Sequence, residues 1–211
     1  MALLLQPTFF APIIQYVALA GHTDVIFERQ DNFQKQTYRN RCYIYGANGR
    51  QLLTVPIVHS ESGTRQKTKD VKIDTSFAWK KIFIKSLESS YRSSPYFEYY
   101  EDDLVKVFEK EHIFLLDLNL HAHEVMSECL EMENNISFTK TYEPIPGSLI
   151  DLRQLADAKH EPVYGFNSYT QVFDKKHGFI HNLSILDLLF NEGTSGLQYL
   201  EEHRGLLGGK K

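Results

Sequence analysis

The chain has 211 residues, of which 42% are hydrophobic and 24% charged, so it is long and apolar enough to bury one sizeable core. The net charge of −4 provides no global field that attracts nucleic acid, and any anion-binding site therefore has to be local. The two cysteines, Cys42 and Cys129, exclude a disulfide framework and are typical of a reducing compartment.

The N-terminal stretch is apolar like an export signal, but no lysine or arginine precedes Arg29 and prolines interrupt the apolar run. We therefore predict a buried strand over 3–5, a helix from Pro12 to Gly21 and a second strand over 24–27. Every later segment is too short or too polar to span a membrane, so we expect a cytoplasmic protein without membrane insertion.

This opening predicts a β-α-β unit. Such units make parallel strand pairs and collect their ligands at the carboxyl ends of the strands. The loops over 6–10 and 28–38 would then lie on one rim of the sheet. Neither loop contains a glycine-rich phosphate fingerprint, so nothing supports a dinucleotide, and we expect no cofactor.

A cationic hairpin is predicted over 35–57. Before the turn, residues expected to face the core, Cys42 and Ile44, alternate with basic and aromatic residues on the other face. The Asn48-Gly49 pair then supplies the positive φ that a tight hairpin turn requires. Four cations lie along the segment, at Lys35, Arg39, Arg41 and Arg50. Arginines beside tyrosines favour an anion or sugar-phosphate platform, because one guanidinium group can bind two oxygens of an anion at once and can also stack on an aromatic ring. The alternative is a half-solvated edge hairpin whose arginines point at water.

The segment over 59–69 is polar and contains Arg65, Lys67 and Lys69. We interpret it either as a mobile lid over a ligand or as a solvated charged loop. Composition alone does not separate these two roles.

Apolar residues at helical spacing predict three helices that would cover the sheet, one from Trp79, one after Pro95 and one over 113–132. The later patterns predict, in order, a strand over 136–142, a connector over 143–148, a short helix over 149–158, extended chain over 162–172, a buried helix over 185–190 and an exposed helix over 197–203. We therefore expect one α/β domain over 1–204 with a mixed β-sheet, followed by a flexible tail over 205–211.

Histidines cluster near the third predicted helix, at His112, His121 and His123, with Glu124 beside them. Residues two apart on a helix point about 200° apart, so His121 and His123 cannot share an ion, and we expect no metal site. The absence of a Gly-x-Ser-x-Gly elbow removes the usual signature of a serine hydrolase. Cys42 alternates with basic and aromatic residues and is expected to face the core rather than to act as a nucleophile.

Asp187 lies inside an otherwise apolar helix, three residues after Ser184. That spacing suits an N-cap followed by a carboxylate in the first turn, so the favoured interpretation of Asp187 is a helix cap. An ion pair with Arg41 or Arg153 is the second interpretation. A general base with a raised pKa is the third.

Five stretches in order resemble the WbqC-like family. They cover the chain from Leu3 to about Leu200, and they are LLLQPTFFAPIIQY, KQTYRNR, Trp79 at the start of a helix, Pro95-Tyr96-Phe97 and LSILDLLFNEG. The residues that match the family pattern are Gln6, Pro7, Phe9 or Phe10, Pro12 and Tyr16 at the opening, Lys35, Tyr38, Asn40 and Arg41 in the hairpin, and Asp187 near the end.

The resemblance implies a cytoplasmic bacterial protein of a family with uncertain activity, some members of which are associated with O-antigen and other surface polysaccharides. It implies an anionic, nucleotide-sugar-like ligand, with a transferase or sugar-modifying activity as the leading expectation. A non-catalytic binding or scaffolding protein that uses the same hairpin is the alternative. The expected ligand-binding residues are Lys35, Tyr38, Arg39, Asn40 and Arg41, and the expected catalytic residues are Asp187 and Gln6.

Overall fold

The computed structural model describes residues 1–59 and 65–208. Its strands are β1 (Leu3–Leu5), β2 (Asp24–Phe27), β3 (Arg41–Gly46), β4 (Gly49–Thr54), β5 (Asn135–Phe138) and β6 (Ile150–Asp151). Its α-helices are α1 (Ile13–Ala20), α2 (Trp79–Tyr91), α3 (Phe97–Glu109), α4 (Leu115–Cys129), α5 (Asp174–His177), α6 (Ile185–Glu192) and α7 (Gly196–Glu202). Short 3₁₀ turns lie at 38–40, 68–70, 153–156, 193–195 and 204–207.

Four strands form a parallel sheet in the order β5-β2-β1-β6. In the middle, Leu3 of β1 pairs with Val25 of β2 on one side and with Ile150 of β6 on the other. Every residue of β1 is buried, which explains why this strand is uniformly apolar rather than alternating. Helix α1 connects β1 to β2, so the predicted β-α-β opening is confirmed.

Strands β3 and β4 form a separate antiparallel hairpin, from the Arg41–Thr54 pair to the Gly46–Gly49 pair. Gly49 has a φ of 96°, a conformation that favours glycine and that accounts for the turn signal in the sequence. Tyr45, expected on the same strand face as Arg41, is fully buried, so this end of the hairpin is covered on both faces. The parallel sheet and the antiparallel hairpin together confirm the α/β fold class.

An aromatic cluster joins the loop after β1 to helices α2 and α3. Phe9 and Phe10 contact Phe83 of α2, with ring centroids 5.3 and 5.7 Å apart. Trp79 and Phe83 contact Phe108 of α3 at 5.9 and 5.1 Å. Phe10 has a φ of 39°, which is uncommon for a bulky residue, and this packing holds it in place. The cluster thereby fixes the path of the chain from β1 to α1.

The largest difference from the sequence prediction follows the proline-rich connector. The pattern predicts a helix over 149–158, whereas the structure has the short strand β6 and a 3₁₀ turn. Ile150 and Asp151 pair with Leu3 and Leu4 of β1. These inter-strand hydrogen bonds outweigh a weak local helix preference. As a result, β6 brings Arg153 to the edge of the sheet.

Helix α4 is the longest described α-helix, with 15 residues, and it lies inside the predicted range of 113–132. Between β4 and α2, Lys72 and Ile73 form isolated bridges with Phe114 and Ile57. In the described parts of the chain, no helix has both the length and the apolar character needed to cross a membrane.

The predicted lid over 59–69 lies partly at residues 60–64, which are outside the described residues. The part that is described is anchored: Thr68 is buried, and the Lys67 ammonium group donates to the carbonyl of Gln30 at 2.8 Å. At the other end, Leu206 and Leu207 fall in the predicted flexible tail but are half-buried against the core. Residues 209–211 lie outside the described residues.

Gly193 ends α6 with φ 55° and ψ −125°, a conformation open almost only to glycine. A Cβ atom there would lie 2.6 Å from Cδ1 of Tyr96. We expect Gly193→Ala to lower the free energy of unfolding by about 2 kcal/mol, because backbone strain and overpacking add. Urea denaturation measures this loss. Gly147→Ala is the control, since no atom lies within 4 Å of its Cβ position, and equal losses in both variants would contradict the explanation.

Candidate functional site

The carboxyl ends of the four parallel strands bring polar side chains to one edge of the sheet. Gln6 follows β1, Glu28 follows β2, Thr139 follows β5 and Arg153 lies two residues beyond β6. Ligands of open α/β sheets bind at this edge. We define the edge centre as the polar group formed here by Gln6, Glu28, Asp31, Arg39, Asn119 and Arg153.

Asp31 is the hub of the edge centre. Its carboxylate accepts hydrogen bonds from Gln6 Nε2 at 2.9 Å, from Thr68 Oγ1 at 2.6 Å and from Arg39 Nη2 at 2.5 Å. Burial lowers the pKa of Arg39, while the charges of Asp31 and Glu28 oppose that shift. The guanidinium of Arg39, predicted to bind a ligand, is therefore already matched by a carboxylate of the same chain.

Glu28 is the second buried carboxylate of the edge centre. Its Oε1 accepts from Thr139 Oγ1 and from the backbone N–H of Gln30, each at 2.7 Å. Its Oε2 lies 3.4 Å from Arg153 Nη1. Arg153 also donates to Asp151 at 2.6 Å, and this hydrogen bond holds the pKa of Asp151 below its usual value. Buried charges at the edge centre thus occur in pairs, as the cost of burial requires.

Three buried polar atoms of the edge centre have no hydrogen-bond partner among residues 1–59 and 65–208: Gln6 Oε1, Arg39 Nε and Asn119 Oδ1. The three side chains are joined, because Gln6 and Arg39 both donate to Asp31 while Asn119 Nδ2 donates to the carbonyl of Arg39 at 2.8 Å. Nearly all buried polar atoms in proteins are paired. Two acceptors and one donor of this group therefore have hydrogen-bonding capacity that the described residues leave unused.

The other predicted ligand-binding residues have different surroundings. Lys35 is exposed. Asn40 is buried, and its Nδ2 donates to the carbonyl of Val55 at 3.0 Å, which ties the hairpin to the preceding turn. Arg41 is half-buried, and its Nε is a further buried donor that has no partner in the described part of the chain.

Tyr38 belongs to a cluster around Glu161 that the sequence did not indicate. The Tyr38 hydroxyl donates to Glu161 at 2.7 Å, and Arg50 donates to the other carboxylate oxygen at 2.9 Å. The guanidinium of Arg50 lies 3.8 Å from the centre of the Tyr43 ring. Burial, followed by the charge of Glu161, raises the pKa of Tyr38. Tyr38 and Arg50 therefore hold an internal carboxylate.

Asp187 lies in a third network. It is in the first turn of α6, as the spacing predicts, but its carboxylate accepts hydrogen bonds from neither the helix backbone nor an arginine in the described structure. Ser184 is the N-cap of α6. The carboxylate of Asp187 accepts from the hydroxyls of Tyr91 at 2.8 Å and Tyr169 at 2.5 Å, and from Gln171 Nε2 at 2.7 Å. Complete burial raises its pKa to about 6, although the three hydrogen bonds oppose the shift.

The two predicted catalytic residues are thus placed in different networks. Gln6 lies in the edge centre, whereas both carboxylate oxygens of Asp187 accept from side chains outside it.

Sequence reasoning missed several carboxylates that organise these networks. Glu28 directly follows β2 and Asp31 comes three residues later, so the rule that ligands gather after buried parallel strands could have selected both. Asn119 and Glu161 carry no such signal. Their roles depend on long-range packing that brings them to Arg39 and Tyr38.

The histidines do not form a metal centre in the described structure. His121 Nδ1 lies 3.2 Å from His112 Nε2, while the ring of His123 packs edge-on against Phe27 at 5.1 Å. Among residues 1–59 and 65–208, no group of three or more histidine, cysteine or carboxylate side chains is arranged to hold an ion.

Comparison with known proteins gives a family but no activity. A Mycobacterium tuberculosis (strain ATCC 25618 / H37Rv) protein described as "Uncharacterized protein Rv1507c" is 28% identical over 221 residues, which cover 88% of this chain and 94% of that protein. No solved structure matches the chain. The model of the WbqC-like protein family matches residues 6–164, a range that includes the whole edge centre and ends before Asp187. The chain therefore belongs to the WbqC-like protein family.

Proposed function

We propose that this chain binds a nucleotide-sugar-like ligand, a sugar that carries an anionic group, at the edge centre, and that it acts in surface-polysaccharide metabolism. The observation that supports the site is the set of unpartnered buried atoms on Gln6, Arg39 and Asn119. The metabolic context rests on the family resemblance.

Sugar hydroxyls suit the unpartnered atoms, because each hydroxyl both donates and accepts hydrogen bonds. Gln6 Oε1 and Asn119 Oδ1 would accept from hydroxyls, and Arg39 Nε would donate to one. Of the two residues predicted to be catalytic, only Gln6 contacts the ligand in this proposal. Asp187, whose oxygens already accept three hydrogen bonds, has a structural and pH-dependent role instead.

The anionic group of the ligand needs positive charge that is not already neutralised. Arg39 and Arg153 are both paired with buried carboxylates. Arg41 forms no ion pair with any described residue, and Lys35 is exposed at the loop that follows β2. We therefore assign the phosphate groups to Lys35 and Arg41, in keeping with the ability of a guanidinium to bind two phosphate oxygens.

A thermal-shift screen tests this proposal. The panel consists of nucleotide-sugars such as UDP-glucose, GDP-mannose and dTDP-glucose, together with sugar 1-phosphates, free nucleotides and neutral sugars. A ligand present at a hundred times its dissociation constant adds about 2.7 kcal/mol to the free energy of unfolding, which raises the melting temperature measurably. We expect at least one nucleotide-sugar to stabilise the protein and neutral sugars to have little effect.

The matched variants are Arg41→Gln, which removes the charge at the site, and Arg92→Gln, which removes an exposed charge near the end of α2. Arg41→Gln should abolish the ligand-induced shift, whereas Arg92→Gln should keep it. If no nucleotide-sugar or sugar phosphate stabilises the wild type at millimolar concentration, the proposal is wrong and the non-catalytic scaffold becomes the leading interpretation.

A further inference from the structure

A groove of about 820 Å³ runs between α4 and the edge strand β5. Its apolar lining includes Leu120, Met132, Ile136 and Phe138. Ile136 and Phe138 are each 37% exposed although both side chains are large and apolar. Concentrated apolar surface of this kind marks a place where another molecule binds. No residue of the edge centre lines the groove, so it is separate from the proposed ligand site.

The backbone of β5 is also open on the side away from β2. The N–H of Asn135 donates to the carbonyl of Thr23, at the start of β2, at 2.7 Å. Because backbone groups alternate in direction along a strand, the N–H and C=O groups of Ile136 and Phe138 point away from β2. In the part of the chain that the structure describes, β5 is an edge strand with no second neighbour.

The sequence of β5 does not protect this edge. Sheet edges are usually shielded from pairing by lysine, proline or other charged residues. β5 reads Asn-Ile-Ser-Phe and contains none of these. An open strand edge beside an apolar groove is the arrangement that receives an added strand, which is held by backbone hydrogen bonds and selected by its alternate side chains.

The charged residues around the groove indicate the sign of the charge that its occupant carries. One cationic residue, Lys110, and four acidic residues, Glu111, Asp117, Glu124 and Glu128, line its described part. Lys80 pairs with Glu111 at 3.8 Å and the guanidinium of Arg29 lies 5.3 Å from the centre of the Phe138 ring, so the negative charge of the rim that the described residues leave unpaired is that of Asp117, Glu124 and Glu128. Burial lowers the pKa of His123 to about 4 and also lowers the pKa of His112, so neither ring offsets the negative charge near neutral pH. A positively charged occupant is therefore favoured.

We propose that this groove binds an extended, basic segment of a partner protein, in which apolar residues alternate with lysine or arginine, and that the segment adds to β5 as a fifth strand of the parallel sheet. Its backbone would pair with the outward groups of Ile136 and Phe138. Its apolar side chains would enter the groove, while its cations would meet the acidic rim. A second copy of this chain is disfavoured because it would place one negative rim against another.

The first test uses an eight-residue peptide of alternating valine and lysine with blocked ends, and an alternating valine–glutamate peptide of the same length. Isothermal titration calorimetry at low salt measures binding to the full chain. We expect the basic peptide to bind and the acidic peptide to bind at least tenfold more weakly. Equal binding of the two peptides, or no binding of the basic one, would overturn the proposal.

The second test asks whether the peptide pairs as a strand. Two versions of the basic peptide carry N-methyl groups, one on all valines and one on all lysines. A strand presents only one of these two sets of N–H groups to β5, so only one version should lose binding. Ile136→Pro, which removes an outward N–H without touching the bonds to β2, should weaken binding at least tenfold. Binding that survives both N-methylated versions excludes strand addition, even if Ile136→Pro fails to fold.

The third test concerns charge and the competing occupant. Glu124→Lys should weaken binding of the basic peptide at least tenfold, whereas Glu98→Lys, at an exposed position of α3 outside the groove, should leave it unchanged. Equal effects of the two substitutions would contradict a role for the acidic rim. Analytical ultracentrifugation of the protein alone completes the test, because self-association that Ile136→Pro abolishes would identify a second copy as the occupant and overturn the peptide proposal.

Discussion

The Arg39→Met variant is expected to lose about 3–5 kcal/mol of unfolding free energy, a large part of the total for a single domain. The side chains of Arg39 and Asp31 are only 3% and 5% exposed, and their charged groups lie 2.5 Å apart. Methionine keeps the apolar stem of the side chain but leaves a buried carboxylate without its opposite charge. Urea denaturation at pH 7 measures the loss.

A double variant separates this cause from a loss of packing. Arg39→Met combined with Asp31→Asn should recover much of the stability, because the buried charge is gone. The oxygen of the new asparagine can accept from Gln6, and its amide can donate to the hydroxyl of Thr68. Arg92→Met is the control, since Arg92 is 58% exposed and its loss should change stability by less than about 0.5 kcal/mol. A double variant that is less stable than Arg39→Met would contradict the electrostatic explanation.

As the pH rises from 4 to 7, the free energy of unfolding of the wild type is expected to fall by about 2.4 kcal/mol relative to that of Asp187→Asn. The pKa of Asp187 is about 6 in the folded protein because of its burial, against an ordinary value of 3.8. Between these two values the folded state binds more protons than the unfolded state, so each rise in pH favours unfolding. Above pH 6 the full cost of a buried, ionised carboxylate is present.

Denaturant unfolding of both proteins at several pH values measures this difference. The slope of stability against pH is compared, rather than the absolute stability, because asparagine also changes the stability at every pH. The NH₂ group of Gln171 donates to Asp187, and it cannot donate to the NH₂ group of an asparagine in the same position. Asp117→Asn, at an exposed carboxylate of α4, should show the same pH dependence as the wild type. Parallel curves for wild type and Asp187→Asn would show that Asp187 has an ordinary pKa.

The sequence predicted those parts of the fold that have a local cause. The uniformly apolar β1, the helix after Pro12 and the Asn48-Gly49 turn each follow from residues that lie next to one another. Strand β6 was mistaken for part of a helix because its two residues become a strand only through pairing with β1. Strand identity at a sheet edge is decided by the neighbouring strand rather than by local preference.

In the candidate site, too, residues with a local signal could be predicted and partners that are distant in the chain could not. Gln6 and Arg39 could be selected as polar or cationic residues near the ends of predicted strands. Their shared partner Asp31 was missed. As a result, the sequence prediction did not include the ion pair in which Asp31 neutralises the charge of Arg39. The raised pKa of Asp187 could be anticipated from its apolar helix. Its partner Tyr91 lies 96 residues away in the chain, and no local pattern identifies a partner at that distance.

The order of the parallel sheet also has a consequence for biosynthesis. The two central strands lie within the first 27 residues, but the strands that flank them are β5 and β6, which end at Phe138 and Asp151. The ribosome adds about 5–20 residues per second, so the central pair waits several seconds for its neighbours. Until then both edges of the nascent sheet are open to other chains. We therefore expect the early β-α-β unit to need protection from pairing with other chains during translation.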